Sequence, residues 1–258
     1  MGKVTLLGAG PGDLELLTLR AARCLAEADV LLMDELVNPD IVALAPRARA
    51  IKVGKRGGCK STPQDFILRL MRRYALRGQH VVRVKGGEVL LFGRAGEEID
   101  YLRRHGVAVE IVNGISSALA AAASLGMSLT HRQHCRGVTL VTAHAQDHSE
   151  PDWQALAATG TTLAIYMGMS RLGSLSRTLL RHLPGSTPAA VVQWASTAQE
   201  RRLCTTLAGL ERDAARAGMG SPAVILVGSA VAEAVDAAMP TVRDDLTFRS
   251  AGRAGLLG

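Results

Sequence analysis

Two hydrophobic periods alternate along the first half of the chain. Short runs rich in leucine and β-branched residues, Val4–Leu7, Val30–Met33, Ile51–Val53, Val81–Val84 and Val107–Val112, read as buried strands. Each closes in a polar or glycine-containing loop. Between them the period lengthens to that of a helix. Thr18 caps a helix to about Ala28, with Leu19, Ala22, Cys24, Leu25 and Ala26 as its apolar face. Asn38 followed by Pro39 opens another, running to Ala45, and Thr62-Pro63-Gln64-Asp65 repeats the device before a long helix with Phe66, Ile67, Leu70, Met71 and Tyr74 on one side. A fourth helix follows Gly93-Arg94-Ala95-Gly96-Glu97-Glu98 and ends near His105-Gly106. Strands alternating with helices predict an α/β fold with a parallel sheet, its ligands beyond the carboxyl ends of the strands.

The pattern changes near Asn113-Gly114, where the alanine-rich stretch Ser116–Leu125 has neither the charge nor the strand pairing of the preceding units. A domain boundary is expected there, giving an N-terminal domain over 1–113, a C-terminal domain over 114–238 and a mobile tail over 239–258. Strands are expected at Gly137–Thr142, Thr161–Met167, Ala189–Gln193, Leu203–Thr206 and Ala223–Val227. Helices are expected around Asp152–Ala158, Leu172–His182, Leu207–Ala217 and Val231–Ala238. Fewer helices between shorter strands suggest a mixed sheet.

Composition narrows the class. Apolar residues make up 48% of the 258 and aromatic ones only 3%, so the core is aliphatic and large enough for one big or two modest domains. No apolar run approaches the roughly 20 residues of a membrane span, and the chain enters its first strand without a leader pattern, which predicts a cytoplasmic protein. Cys24, Cys59, Cys135 and Cys204 form no C-x-x-C pair, so free thiols are expected rather than a disulfide framework or cysteine zinc site. A net charge of +7 favours an anionic partner. Dispersed basic residues and scarce aromatics argue against nucleic acid.

Chemistry gathers at the loops. In Gly8-Ala9-Gly10-Pro11-Gly12-Asp13 the glycines let the backbone turn sharply and approach a ligand, but Asp13 stands where the dinucleotide fingerprint needs glycine. No phosphate loop and no G-x-S-x-G elbow occur. His131, His134 and Cys135, with His144 and His148 beyond, complete no recognised ligand set, and no metal is expected. Asp34, Lys55, Arg94 with Glu97, and His131-Arg132 lie on different loops; gathered on one sheet edge they would make a cationic cleft with an acid and a base. Gly86-Gly87-Glu88 would offer a ligand bare backbone and a carboxylate.

Taken in order, Gly8-Ala9-Gly10-Pro11-Gly12-Asp13, Asp34-x-Leu36-Val37, Val53-Gly54-Lys55-Arg56, Pro63-Gln64, Val84-Lys85-Gly86-Gly87, Phe92-Gly93-Arg94-x-Gly96-Glu97-Glu98, Leu129-Thr130-His131-Arg132, Tyr166-Met167-Gly168 and Ser221-Pro222-Ala223 resemble the tetrapyrrole methylase family. The resemblance implies a homodimer of two-domain α/β subunits that binds S-adenosylmethionine between the domains. It further implies methylation of the anionic tetrapyrrole uroporphyrinogen III at C2 and then C7, giving precorrin-2. Another tetrapyrrole or corrin precursor, or a non-catalytic binding role, is the alternative.

By the same resemblance Pro11, Gly86, Gly87, Glu88, Leu91, Ser116, Ser117, Met167, Ala195 and Ala223 fall where the family contacts the methyl donor. Asp34 matches a proposed proton acceptor and Lys55 a proposed proton donor, while Arg94, Glu97 and Arg132 match positions that handle substrate. The chain departs from the family pattern at Glu35, usually arginine, at Glu88-Val89-Leu90, usually D-P-F, at Asn113, usually proline, and at Ala143, usually glycine.

Overall fold

The computed structural model describes residues 2–54, 62–144 and 149–234. Lys55, Cys59, His148 and the expected tail over 239–258 lie outside them.

The first sheet is built from β1 (Lys3–Gly8), β2 (Val30–Met33), β3 (Arg49–Lys52), β4 (Val81–Lys85) and β5 (Ala108–Val112), in the order β3-β2-β4-β1-β5. Every pairing is parallel. Alternate side chains serve opposite faces, as the two-residue period of a strand requires. Val4, Leu6, Val30, Leu32 and Val81 meet α2 (Gln64–Leu76) and α3 (Ala95–Arg104). Leu7, Leu31, Met33, Val82 and Val84 meet α1 (Leu19–Ala26) and the helical turn after it. Burial on both faces explains the continuous apolar runs.

Several helices differ in detail from their sequence pattern. The Thr18 hydroxyl accepts from the Ala21 N–H at 3.1 Å, so α1 starts at Leu19 and buries Ala21, Cys24 and Leu25. Leu19, half a turn away from Ala21, is 81% exposed instead of joining the apolar face. Pro39–Leu44 is a 3₁₀ helix with Asn38 as its cap; six residues held by bonds to the third residue back do not make an α-helix. Pro63, not Thr62, holds the cap position of α2, and the Thr62 hydroxyl donates to the Gly54 carbonyl. The buried stripe of α2 is Ile67, Leu68, Met71 and Ala75; Phe66 lies off it and is exposed.

The second sheet contains β6 (Val138–Thr142), β7 (Thr162–Tyr166), β8 (Pro188–Gln193), β9 (Arg201–Thr206) and β10 (Ala223–Val227), in the order β6-β7-β10-β8-β9. Only β6 and β7 run parallel; the other pairings are antiparallel, giving the expected mixed sheet. One face is covered by α4 (Ser117–Ser124), through Ala118, Ala120, Ala121 and Ala122, with Ala230 and Val231. The other is covered by α5 (Trp153–Ala158), α6 (Leu172–Leu179) and α7 (Leu210–Arg216). The helix expected from Leu207 begins at Leu210, because Leu207 is buried in the preceding turn. The helix expected at Val231–Ala238 is instead a 3₁₀ helix over Ser229–Glu233, and residues from 235 on are outside the description. Among the described residues no helix is long and apolar enough to cross a membrane.

Candidate active site

The first sheet supplies the floor of a cleft. β1 and β4 are neighbours, but β1 leads to α1 on one face and β4 leads to α3 on the other, so their carboxyl ends part around a crevice. Gly10 and Gly87 bridge the two loops: the Gly87 N–H donates to the Gly10 carbonyl at 2.7 Å and the Gly10 N–H to the Gly87 carbonyl at 3.2 Å. Side chains are excluded beneath them. A Cβ at Gly8 would stand 2.7 Å from both the Gly114 nitrogen and the Gly87 oxygen, inside contact distance. Gly86 packs on Leu36, which brings the glycine loop after β4 beside the loop that carries Asp34.

A charge cluster lies behind Asp34. Arg83, in the middle of apolar β4, points to the α2/α3 face, where its Nε donates to Glu98 Oε1 at 3.2 Å and its terminal nitrogen donates to Asp34 Oδ1 at 2.5 Å. Its other nitrogen donates to the Leu32 and Val84 carbonyls. Lys85, two residues on and on the same face, reaches Glu98 Oε1 at 3.1 Å, the Gly93 carbonyl at 2.6 Å and Asp34 Oδ2 at 4.0 Å. Gln64 adds a third donor to Glu98 Oε1, while Glu98 Oε2 is buried without a partner. Burial and the neighbouring Arg83 lower the Lys85 ammonium from its ordinary value, against the pull of Glu98 and Asp34. Arg83 and Glu98 are 2% and 0% exposed as side chains but Asp34 is 34% exposed. The interior pairs therefore aim one accessible carboxylate outward. Beside it opens a cavity of about 610 Å³ whose lining includes Glu35, Val37, Arg49 and Lys52.

The second sheet supplies the facing wall. Ser116 and Ser117 open α4, and Ser117 Oγ would lie 3.6 Å from a Cβ on Gly87. The Ser116 hydroxyl shares a 2.5 Å hydrogen bond with the Tyr166 hydroxyl at the end of β7, and the Tyr166 ring lies 5.0 Å from that of Phe92. Met167, next in the chain, is 46% exposed. Ala223 on β10 pairs with Gln193 on β8, two residues before buried Ala195. The turn at Ala195 meets the first loop: the Asp13 N–H donates to Ser196 Oγ at 3.2 Å, and a Cβ on Gly12 would lie 2.5 Å from Thr197 Cγ2. Pro11 thus stands between the Gly10–Gly87 bridge and this turn. The described non-glycine residues with left-handed backbones, Phe92, Arg94, Met167, Trp194 and Ser196, all follow strand ends around this cleft. Such strain is held in place where a site requires it.

The remaining expected residues are less closely joined. Arg94 forms a bidentate pair with Glu97, at 2.8 and 2.6 Å, that pulls the Glu97 carboxyl below its ordinary value by the hydrogen bond itself. Both are half exposed at the start of α3. Leu91 donates its N–H to the Glu88 carbonyl. The Glu88 carboxylate is already engaged, accepting from the Leu90 N–H, the Asn113 amide and the Gly114 N–H. Arg132 is exposed, with no described contact to Asp34 or Arg94. Of the histidine cluster, His134 pairs with Glu233 at 2.6 Å, the His131 ring lies tilted against that of His134, and Cys135 bonds Leu129 and Thr162.

This geometry has known counterparts. Residues 3–211 match the family model for Tetrapyrrole (Corrin/Porphyrin) Methylases. The chain belongs to the tetrapyrrole methylase family. It is 52% identical to a uroporphyrinogen-III C-methyltransferase of Pseudomonas aeruginosa, an alignment covering 91% of this chain and 96% of that one. Among solved structures it resembles a uroporphyrin-III C-methyltransferase from Thermus thermophilus complexed with S-adenosylhomocysteine, at TM-score 0.78 and 40% identity over 90% of this chain and 99% of that one. It also resembles a cobalt precorrin-4 methyltransferase, at TM-score 0.80 and 29% identity over 89% and 95% of the two chains.

As a tetrapyrrole methylase the chain carries features that sequence reasoning did not assign. Arg83 and Glu98 hold Asp34, and Tyr166 bonds Ser116 within the second wall and meets the first through the Phe92 ring. Arg83 left a signal, a cation inside an apolar central strand, which demands a buried partner. Tyr166 left none beyond its place in a matched motif.

Proposed function

We propose that this tetrapyrrole methylase transfers methyl groups from S-adenosylmethionine to uroporphyrinogen III, at C2 and then C7, to give precorrin-2. The observation that carries the reading is the pairing of unlike walls: an accessible Asp34 anchored by a buried cation pair, beside a cavity lined by Arg49 and Lys52, opposite a wall of bare backbone, hydroxyls and a thioether. The fit to the donor rests on the floor loops and that second wall together. On the floor Gly86, Gly87, Pro11 and Leu91 present backbone; on the wall Ser116 and Ser117 present hydroxyls, and Met167, Ala195 and Ala223 uncharged surface. The nearby cations Arg83 and Lys85 are committed to Glu98, Asp34 and the Gly93 carbonyl, so no ammonium or guanidinium from β4 is left to repel a sulfonium. Glu88 tethers the glycine loop to Gly114 and places its anion at the same edge.

When bound, S-adenosylmethionine supplies an electrophilic methyl group. The protein's task is to hold a pyrrole carbon in line with it, and positioning of this kind is worth up to roughly 7–11 kcal/mol. Arg94, oriented by Glu97, and Arg132 bind carboxylate side chains of the substrate. Asp34 stabilises positive charge that develops on the pyrrole and accepts its proton, with Arg83 fixing the carboxylate's direction. Lys55, carried over from the family resemblance, is the proton donor. The chain acts in the cytoplasm as a homodimer.

Anaerobic incubation of the protein with uroporphyrinogen III and methyl-labelled S-adenosylmethionine tests the reading. Transfer of two labels, lost in Asp34→Asn, is the expected result. Calorimetric binding of the donor without any label transfer would overturn it, and transfer only to a different tetrapyrrole would reassign the substrate to the alternative class, with Glu35 the first residue to revert.

A further inference from the structure

The turn that carries Ala195 is conformationally expensive. Trp194 and Ser196, on either side of it, have φ of 52° and 65°, a region that side chains with a Cβ occupy at a cost. Glycine or asparagine would relieve that cost, yet neither is present. What holds the turn is visible in its hydrogen bonds. The Ser196 N–H donates to Glu200 Oε2 at 2.6 Å, and Thr197 bonds the Trp194 carbonyl through both its N–H and its hydroxyl. The other oxygen of Glu200 accepts from the Ser124 hydroxyl and from Arg202 Nε, each at 2.7 Å. Burial pushes the Glu200 carboxyl up, and these donors more than offset it, leaving it below its ordinary value.

Glu200 therefore ties together three pieces of the cleft. It grips the strained turn, it anchors that turn to the last residue of α4, whose first residues carry Ser116 and Ser117, and it fixes both to β9 through Arg202. The turn in turn touches the Gly12–Asp13 loop of the first sheet. We infer that Glu200 is a positioning residue for the methyl donor, which presets the Ala195 turn and α4 in the donor-accepting arrangement before the donor arrives. The inference rests on the reading above that Ala195 faces the donor. A carboxylate is required, because all three partners are donors. An amide of the same shape must turn its own N–H₂ on one of them.

The test compares Glu200→Gln with the parent in calorimetric binding of S-adenosylhomocysteine and in steady-state kinetics. The expected result is a loss of about tenfold in affinity and an equal rise in KM for S-adenosylmethionine. The kcat at saturating donor and the KM for uroporphyrinogen III should stay within about twofold. Unchanged S-adenosylhomocysteine affinity would overturn the inference. So would a fall in Tm with kcat and both KM values worsening together, since that is a purely structural role. If Glu200→Gln fails to fold, Ser124→Ala, which removes one neutral bond, replaces it, with an expected weakening of about threefold and unchanged affinity overturning the inference. Ala195→Val separates the two layers. Loss of affinity in Ala195→Val but not in Glu200→Gln rejects the role of Glu200 alone, whereas normal affinity in a folded Ala195→Val rejects the donor-facing reading of the turn.

Discussion

The two walls of the cleft are made from different materials. The first sheet contributes charge: Arg83, Lys85, Glu98 and Asp34 form a network that is buried except at its outer carboxylate. The second contributes backbone shape, through left-handed residues at Met167, Trp194 and Ser196 and a core of alanine and aliphatic side chains. The contrast separates two tasks. Proton handling needs a carboxylate whose direction is fixed by charge, while holding an uncharged part of a ligand needs a surface fixed by conformation.

Removing a charge from the first wall should therefore do the most damage. Arg83→Met leaves Lys85 as the one described cation for both Asp34 and Glu98, and the expected loss is about 3–5 kcal/mol of stability together with methyl transfer, read by chemical denaturation and label transfer. A neutral exchange on the other wall, Met167→Leu, is expected to cost less than about 1.5 kcal/mol and to change donor affinity rather than folding. If both substitutions cost the same, the contrast fails. Asp34→Asn keeps shape and removes charge at the exposed end of the network. Its kcat should fall about 10²–10⁴-fold with S-adenosylhomocysteine affinity unchanged by calorimetry.

Gly12→Ala tests the seam between the walls. With φ at 146° and a new Cβ 2.5 Å from Thr197, it should cost about 1–3 kcal/mol in thermal or chemical unfolding and weaken donor binding, because the Ala195 turn must move. The smallest effect is expected at the far end of the first sheet. Burial, helped by Lys3, lowers the His80 imidazole from 6.5, where its ring meets the Thr5 hydroxyl at 2.9 Å. Between that lowered value and 6.5 the unfolded chain binds more protons, so stability is full above pH 6.5 and declines as the pH falls below it. Melting temperatures at stepped pH should show this slope, and His80→Gln should flatten it.

Most of the fold was legible because strand period and glycine placement are local signals. Val30–Met33 was read to the residue, and the mixed second sheet followed from strand spacing. Helix type was less legible: nothing in Pro39–Leu44 marks a 3₁₀ helix except brevity. The chemistry of the first wall was half visible, since Asp34 closes a strand and Arg83 interrupts one, but Glu98 joins them only through the register of β4 against α3. The second wall was nearly silent. Left-handed backbone is announced by glycine or asparagine, and Met167, Trp194 and Ser196 are neither. Met167 and Ala195 came only from family resemblance.

The close approach of Gly8, Gly87 and Gly114 bears on how such a cleft can change over time. A Cβ at Gly8 or Gly114 would overlap neighbouring backbone, whereas at Gly87 it would have space but a left-handed φ of 70°, so each replacement on this floor carries a penalty. The rim is built differently: Glu88 and Asn113 bond each other there from 25 positions apart, so a change in one leaves a partner that can be refitted. A floor closed to side chains beneath a rim held by exchangeable ones leaves the rim as the place where new side chains can be fitted.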